Sequence, residues 1–196
     1  VSNVMVGCET GVLLGDALSE ALNCRTNGTA KSALRRDKWL QTEAVRAAKL
    51  DACEQALAHS ASDVEAFLKE SPALLKAGKF KAVVKPVDGA GSEGVHVCES
   101  PDEVRKAFAS LSGTKNVLGL VNDAVLLQEY LRGDEYVVDT VSRGGVHKCT
   151  AIWKYDKRPL NNAPVVYYGM LLMPIDREPH LAAMVEYVLG VLEALG

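Results

Sequence analysis

Lys85 closes a short apolar run, Ala82-Val83-Val84, and stands just ahead of a glycine-rich turn, Asp88-Gly89-Ala90-Gly91-Ser92-Glu93-Gly94. Glycines let backbone N–H groups approach an anion without a Cβ in the way, and an ammonium beside them adds a full positive charge. The chemistry open to this stretch is therefore anion binding, phosphate above all. An ordinary hairpin with a glycine tip reads the same residues equally well. The spacing Gly89-x-Gly91-x-x-Gly94 fits G-x-G-x-x-G, but a helix should follow in a dinucleotide site. Here Val95-His96-Val97-Cys98 alternates like a strand. A Walker A loop would end in Gly-Lys-Ser/Thr, and Gly94-Val95-His96 does not. A kinase glycine loop is followed by its lysine, whereas Lys85 comes first, and neither His-Arg-Asp nor Asp-Phe-Gly lies downstream.

Composition narrows the function classes. The net charge of −3 over 196 residues leaves no basic footprint for nucleic acid. No apolar run is long enough to span a membrane. The five cysteines are scattered and lack a C-x-x-C pair, which reads as reduced, mostly buried thiols in a cytosol-like compartment. The four histidines are equally dispersed, so no His/Cys metal site is assigned. The chain opens on Val1 and stops on a helix at Gly196, and both ends read as cuts within a longer protein.

The elements that must position the turn follow from periodicity. Val4–Val6 reads as a buried strand, followed by a helix carrying Val12, Leu13, Ala17, Leu18, Ala21 and Leu22. Residues 29–59 are rich in helix formers. They contain Arg35-Arg36-Asp37-Lys38, a charge run of the kind that marks a solvated helix face. Ser62-Asp63-Val64-Glu65 and Ser100-Pro101-Asp102-Glu103 read as capping boxes, the second opening a helix with Val104, Ala107, Phe108 and Leu111 on one face. Strands are expected at 125–131, 135–142, 146–155 and 165–173, with a loop over Asp156–Pro164 and a last amphipathic helix from Leu181. This mixed order predicts an α+β fold with a small β-β-α-β lobe and a partial antiparallel core.

In order and spacing, Arg36-Asp37-Lys38, Val84-Lys85-Pro86, the loop Asp88–Gly94 and Leu127-Gln128-Glu129-Tyr130-Leu131-Arg132-Gly133-Asp134-Glu135-Tyr136 resemble the ATP-grasp superfamily. The resemblance is greatest to its carboxylate–amine ligase branch, which includes L-amino-acid ligases and carbamoyl-phosphate-synthase-like enzymes. It implies the tail of a preceding α/β domain over 1–28, a helical part of the ATP-grasp core over 29–78, a lid over 79–133 and an incomplete C-terminal core over 134–196.

The resemblance also implies roles. Lys38 reaches the phosphates from the core, and Lys85 reaches the α/β-phosphates from the lid. The loop Gly89, Gly91, Ser92, Gly94 folds over the β/γ-phosphates. Gln128, Glu129, Tyr130 and Leu131 form the hinge that reads adenine through backbone groups, and Glu135 holds the ribose hydroxyls. Strand period puts Gln128, Tyr130 and Arg132 on one face and Glu129 and Leu131 on the other. Tyr155 and Lys157, on one face of their strand, either face the phosphate or substrate end or form an exposed strand end. ATP is the implied co-substrate. Mg²⁺ is implied too, but the Glu and Glu-x-Asn that would hold it are not found among Asp176, Glu178, Glu186 and Glu193. Its ligands are expected beyond Gly196, no metal ligand is assigned within the chain, and no catalytic residue is named.

The implied reaction joins a small-molecule carboxylate to an amine through an acyl phosphate, in a cytoplasmic enzyme with neither nucleic-acid nor membrane partners. Self-association of the complete chain is left open. The alternatives are an ATP-grasp carboxylase, a purine-biosynthesis ligase, and a nucleotide-binding module without catalysis.

Overall fold

The computed structural model describes residues 1–89, 94–115, 119–160, 163–175 and 178–196. The chain divides into two compact units, Val1–Leu131 and Arg132–Ala194.

The first unit is built on a four-stranded antiparallel sheet in the order β1-β4-β2-β3, from β1 (Gln55–Ala58), β2 (Ala82–Pro86), β3 (His96–Cys98) and β4 (Val125–Glu129). Strand alternation sends Ala82 and Val84 to one face, where Leu127, Val125 and Ala58 join them. Two helices cover that face, α3 (Ala61–Glu70) with Val64 and Phe67, and α4 (Pro101–Leu111) with Val104, Ala107, Phe108 and Leu111. The stripe expected on α4 is thus buried as read. Ser100 caps it by accepting from the Glu103 N–H at 3.3 Å, with Pro101 in the first turn. On the opposite face Lys85 lies beside Leu126, and Leu126 beside Leu57. Before the sheet come α1 (Val12–Ala21), a 3₁₀ turn at Ser32–Arg35, and α2 (Lys38–Ala47).

Three local expectations are corrected here. Val4–Val6 forms no strand, and Met5 is 91% exposed. The stretch read as helical contributes a strand, β1: Gln55–Ala58 is too short for a helical stripe to be distinguished from a strand, and pairing with β4 decides it. The box before α3 sits two residues earlier, at Ser60, whose N–H donates to Asp63 Oδ2 at 2.9 Å. Asp63 does at the third helical position what Glu65 was expected to do.

The second unit is a three-stranded antiparallel sheet, β5 (Tyr136–Arg143), β6 (Val146–Leu160) and β7 (Ala163–Leu172), with α5 (Pro179–Leu195) after it. Within the loop expected over Asp156–Pro164, β6 instead runs on through Asp156 to Leu160 and pairs with β7 from Ala163, and residues 161 and 162 lie outside the described residues. The charges that suggested a loop are matched within the second unit, Arg158 bonding Asp156 at 2.8 Å and lying 4.6 Å from the Tyr168 ring, and Lys157 bonding Glu135. No helix among the described residues is long and apolar enough to cross a membrane.

All five cysteines are free thiols, yet only Cys98 is buried, so "mostly buried" does not hold. Burial pushes the Cys98 thiol up to about 11, whereas hydrogen bonds from Thr10 and the Gly11 N–H hold exposed Cys8 below its ordinary value. Iodoacetamide at pH 8 should therefore label Cys8 first and Cys98 last, read by peptide mass spectrometry.

Candidate functional site

The site begins at the start of α2. Asp37 accepts the Leu40 N–H at 2.9 Å and so caps the helix, which aims Lys38 away from its axis. Lys38 Nζ donates to the Gly89 carbonyl at 2.6 Å and lies 3.5 Å from Glu9 Oε1. The first lysine is thus fixed at the base of the glycine turn, across 51 residues of sequence. Arg36, 8% exposed, pairs with Glu9 at 3.1 Å and with Asp88, the residue before Gly89. The charge run is consequently not a solvated face: Arg35 bonds buried Asp16 at 2.9 Å, and Arg36 ties the turn to the helix start. Arg36 was missed as a site residue because its partners are distant in sequence and no periodicity marks it.

Lys85 projects from β2 on the face opposite the helical layer, half-buried beside Leu126. Its ammonium has no ion-pair partner among the described residues. Burial drives its pKa below the ordinary 10.5, the half-buried Cys53 thiol works the other way, and the charge of Lys38 adds to the lowering. An ammonium half out of water is costly without an anion. Two cations close enough to disfavour each other, one held on a glycine carbonyl, make a place where a polyanion would be welcome. Gly94 returns the chain in the left-handed region (φ +65°), and Gly89 is buried. Gly91 and Ser92 lie outside the described residues.

At the end of β4, Gln128 and Glu129 are engaged structurally. Gln128 Nε2 donates to Gln55 Oε1 at 2.8 Å, and Glu129 Oε1 accepts from the Glu54 N–H at 2.9 Å. Both side chains are buried, so any ligand meeting this segment would meet backbone. Tyr130 lies past the strand's last residue, with Lys81 Nζ 4.2 Å from its ring centroid, and Leu131 closes the first unit. The Lys81–Tyr130 contact had no sequence signal, since only the β2–β4 register brings the two together.

In the second unit Glu135 precedes β5, and its Oε2 accepts from Lys157 Nζ at 2.5 Å. Lys157 also lies 4.9 Å from the Tyr155 ring and 4.4 Å from the Tyr167 ring, and the two tyrosines meet edge to face at 5.1 Å. Burial works against the Lys157 charge, but the bonds to Glu135 and Tyr167 outweigh it and hold its pKa above the ordinary value. The register explains the cluster. Asp156 faces Gly169 while Lys157 faces Tyr167, so Tyr168 is an extra residue on β7, and the bulge sets Tyr167 opposite Lys157.

A family profile described as ATP-grasp domain matches residues 78–188, more than half of the chain. The chain belongs to the ATP-grasp family. Across its whole length it is 27% identical to dapdiamide A synthase of Enterobacter agglomerans, of which it covers 45%. Among solved structures, the L-amino acid ligase of Bacillus licheniformis superposes with a TM-score of 0.72 at 19% identity, over 100% of this chain and 42% of that one. The D-alanine–D-alanine ligase of Bacillus anthracis superposes with a TM-score of 0.67 at 17% identity, over 95% and 58%. The chain thus spans about half the length of the relatives it matches. These likenesses bear out the ATP-grasp fold.

The first unit sets two cationic side chains, Lys38 and Lys85, at the base of the glycine turn, with Lys38 held on the Gly89 carbonyl. For Mg²⁺ the fit is different: the described residues hold no group of three or more His, Cys, Asp or Glu side chains able to bind a metal ion. A separate cleft of about 460 Å³ among Trp39, Glu43, Arg46, Gln55 and Phe67 contains neither lysine.

Proposed function

We propose that residues 1–196 are the ATP-binding part of a cytoplasmic ATP-dependent carboxylate–amine ligase. The observation that carries the reading is Lys85: a half-buried ammonium with its pKa lowered, next to Lys38, at the foot of a glycine turn. Its charge has a use if phosphate arrives. The relatives support the chemistry, since dapdiamide A synthase and the L-amino acid ligase both carry names of condensing enzymes.

In this reading a substrate carboxylate oxygen attacks the γ-phosphorus of ATP, the bond to the β-phosphate oxygen breaks, and ADP leaves. The amine nitrogen then attacks the acyl-phosphate carbonyl. The amide forms, inorganic phosphate departs with the electron pair of the broken C–O bond, and the nitrogen loses a proton. Lys38 and Lys85 stabilise charge on the phosphates, the turn at Gly89, Gly91, Ser92 and Gly94 excludes water from the acyl phosphate, and backbone at Gln128–Leu131 reads adenine. Glu135 takes the ribose hydroxyls, with Tyr155 and Lys157 toward the phosphate or substrate end. Mg²⁺ accompanies ATP, with no ligand assigned within residues 1–196 and no step routed through it. The proposed division remains 1–28, 29–78, 79–133 and 134–196, with β1 of the second stretch paired into the lid sheet.

The test is ATP-dependent phosphate release by the complete protein, screened over pairs of amino acids. Release that requires both a carboxylate and an amine is expected. Release with bicarbonate alone would favour the carboxylase alternative, and ATP binding without release from any pair would leave a non-catalytic module.

A further inference from the structure

The two roles assigned to the second unit compete. Glu135 is wanted at the ribose and Lys157 at the phosphate or substrate end, yet Lys157 Nζ sits 2.5 Å from Glu135 Oε2. A ribose is held best when each carboxylate oxygen accepts one of its two hydroxyls, and Oε2 already carries a charge-assisted bond from an ammonium that stands in the way. The ammonium is held there by more than Glu135, since the Tyr155 and Tyr167 rings lie 4.9 and 4.4 Å away. The Glu135 side chain is 55% exposed and that of Lys157 22%, so the carboxylate is open to solvent while the ammonium is largely enclosed. The start of β5 is fixed as well, because the Tyr155 N–H donates to the Glu135 carbonyl at 2.9 Å. The ion pair can therefore open by rotation of the lysine's flexible stem, without moving backbone.

We propose that Lys157 is a specificity-determining residue that makes Glu135 available to nucleotides and withholds it from nucleosides. A ligand offering ribose alone must break the Glu135–Lys157 pair and leave the ammonium without an anion. A ligand offering ribose and polyphosphate breaks the same pair but gives the ammonium a phosphate in exchange, so the count of charge pairs is kept. The penalty falls on adenosine and not on ATP. This inference rests on the nucleotide-binding reading of the same residues.

The experiment is equilibrium binding of adenosine and of ATP to this chain, wild type and Lys157→Met, by calorimetry. The variant should bind adenosine about threefold more tightly, the gain from removing a partly exposed ion pair that had to be broken. It should bind ATP about tenfold more weakly, having lost a charge-assisted bond to phosphate. Should Lys157→Met fail to fold by circular dichroism, Lys157→Gln keeps much of the stem without the charge and is read the same way. Adenosine binding that is unchanged or weaker in the variant overturns the proposal, for Lys157 would then support Glu135 instead of withholding it. Unchanged ATP binding also overturns it. Those failures leave wild-type ATP binding intact. A wild type that binds no ATP would instead sink the nucleotide reading, and this inference with it.

Discussion

Lys85→Met should raise the thermal midpoint of the chain and at the same time weaken ATP binding roughly thirtyfold, the equivalent of about 2 kcal/mol for a lost charge-assisted contact. The two effects share one cause. Lys85 sits on the sheet face beside Leu126, half out of water, with no ion-pair partner among the described residues, and its pKa is lowered by burial despite the opposing pull of the Cys53 thiol. A methionine of similar length fills that space without a charge to desolvate, a change that commonly stabilises by about 0.5–2 kcal/mol. The sign of the pH dependence follows. Between the depressed native pKa and the ordinary 10.5, the unfolded chain holds a proton on Lys85 that the native chain has released. Native stability therefore rises with pH across that window, and the rise should vanish in Lys85→Met. ATP does the reverse. It favours the charged form, so ATP affinity should fall as pH climbs through the free-state pKa of Lys85, with proton uptake on binding. Calorimetry in two buffers of different ionisation enthalpy measures that uptake. A variant that is both unstabilised and unimpaired in ATP binding would remove Lys85 from the site.

Gly94→Ala should cost about 2 kcal/mol in urea unfolding, because a side chain here is opposed twice. The residue holds φ at +65°, where a Cβ crowds the following carbonyl, and that Cβ would stand 2.9 Å from Pro86 Cγ and 3.2 Å from Leu111 Cδ2. Pro86 is a rigid ring at the end of β2 and Leu111 is buried at the end of α4, so neither yields easily. Gly145→Ala provides the comparison: φ is +77° at a hairpin tip with nothing within 4 Å of the new Cβ. It should show the backbone strain alone, about 1 kcal/mol. Equal losses in the two variants would mean that Gly94 does not pack against the core of the first unit.

What could be read in advance, and what could not, divides along sequence distance. The β2–β3 hairpin, α4 with its Ser100 cap and the α5 stripe were legible because their signals are local: alternation, a capping residue, helical spacing. The half-buried setting of Lys85 was legible too, as a lysine in an apolar run. Arg36 was not, because its partners Glu9 and Asp88 lie in other elements and only folding shows that its charge is enclosed. β1 was not, because a four-residue strand gains its identity from pairing with β4. Polar Asp156–Arg158 suggested a loop because charge pairs within a strand look like loop composition until the register is known.

The extra residue on β7 has a consequence for how this chain is compared with others. Because Tyr168 occupies a bulge, residues before and after it keep their places on the sheet while their numbering slips by one against β6. An alignment that forbids gaps inside strands would therefore set Tyr168, whose ring lies 4.6 Å from Arg158, opposite Lys157. Tyr167, which touches Lys157, would be scored at the wrong column. Any relative lacking the extra residue would then look as if it had lost the tyrosine while keeping it in space. Assigning residues between Ala163 and Tyr168 across the family is a matter of superposition first and sequence second.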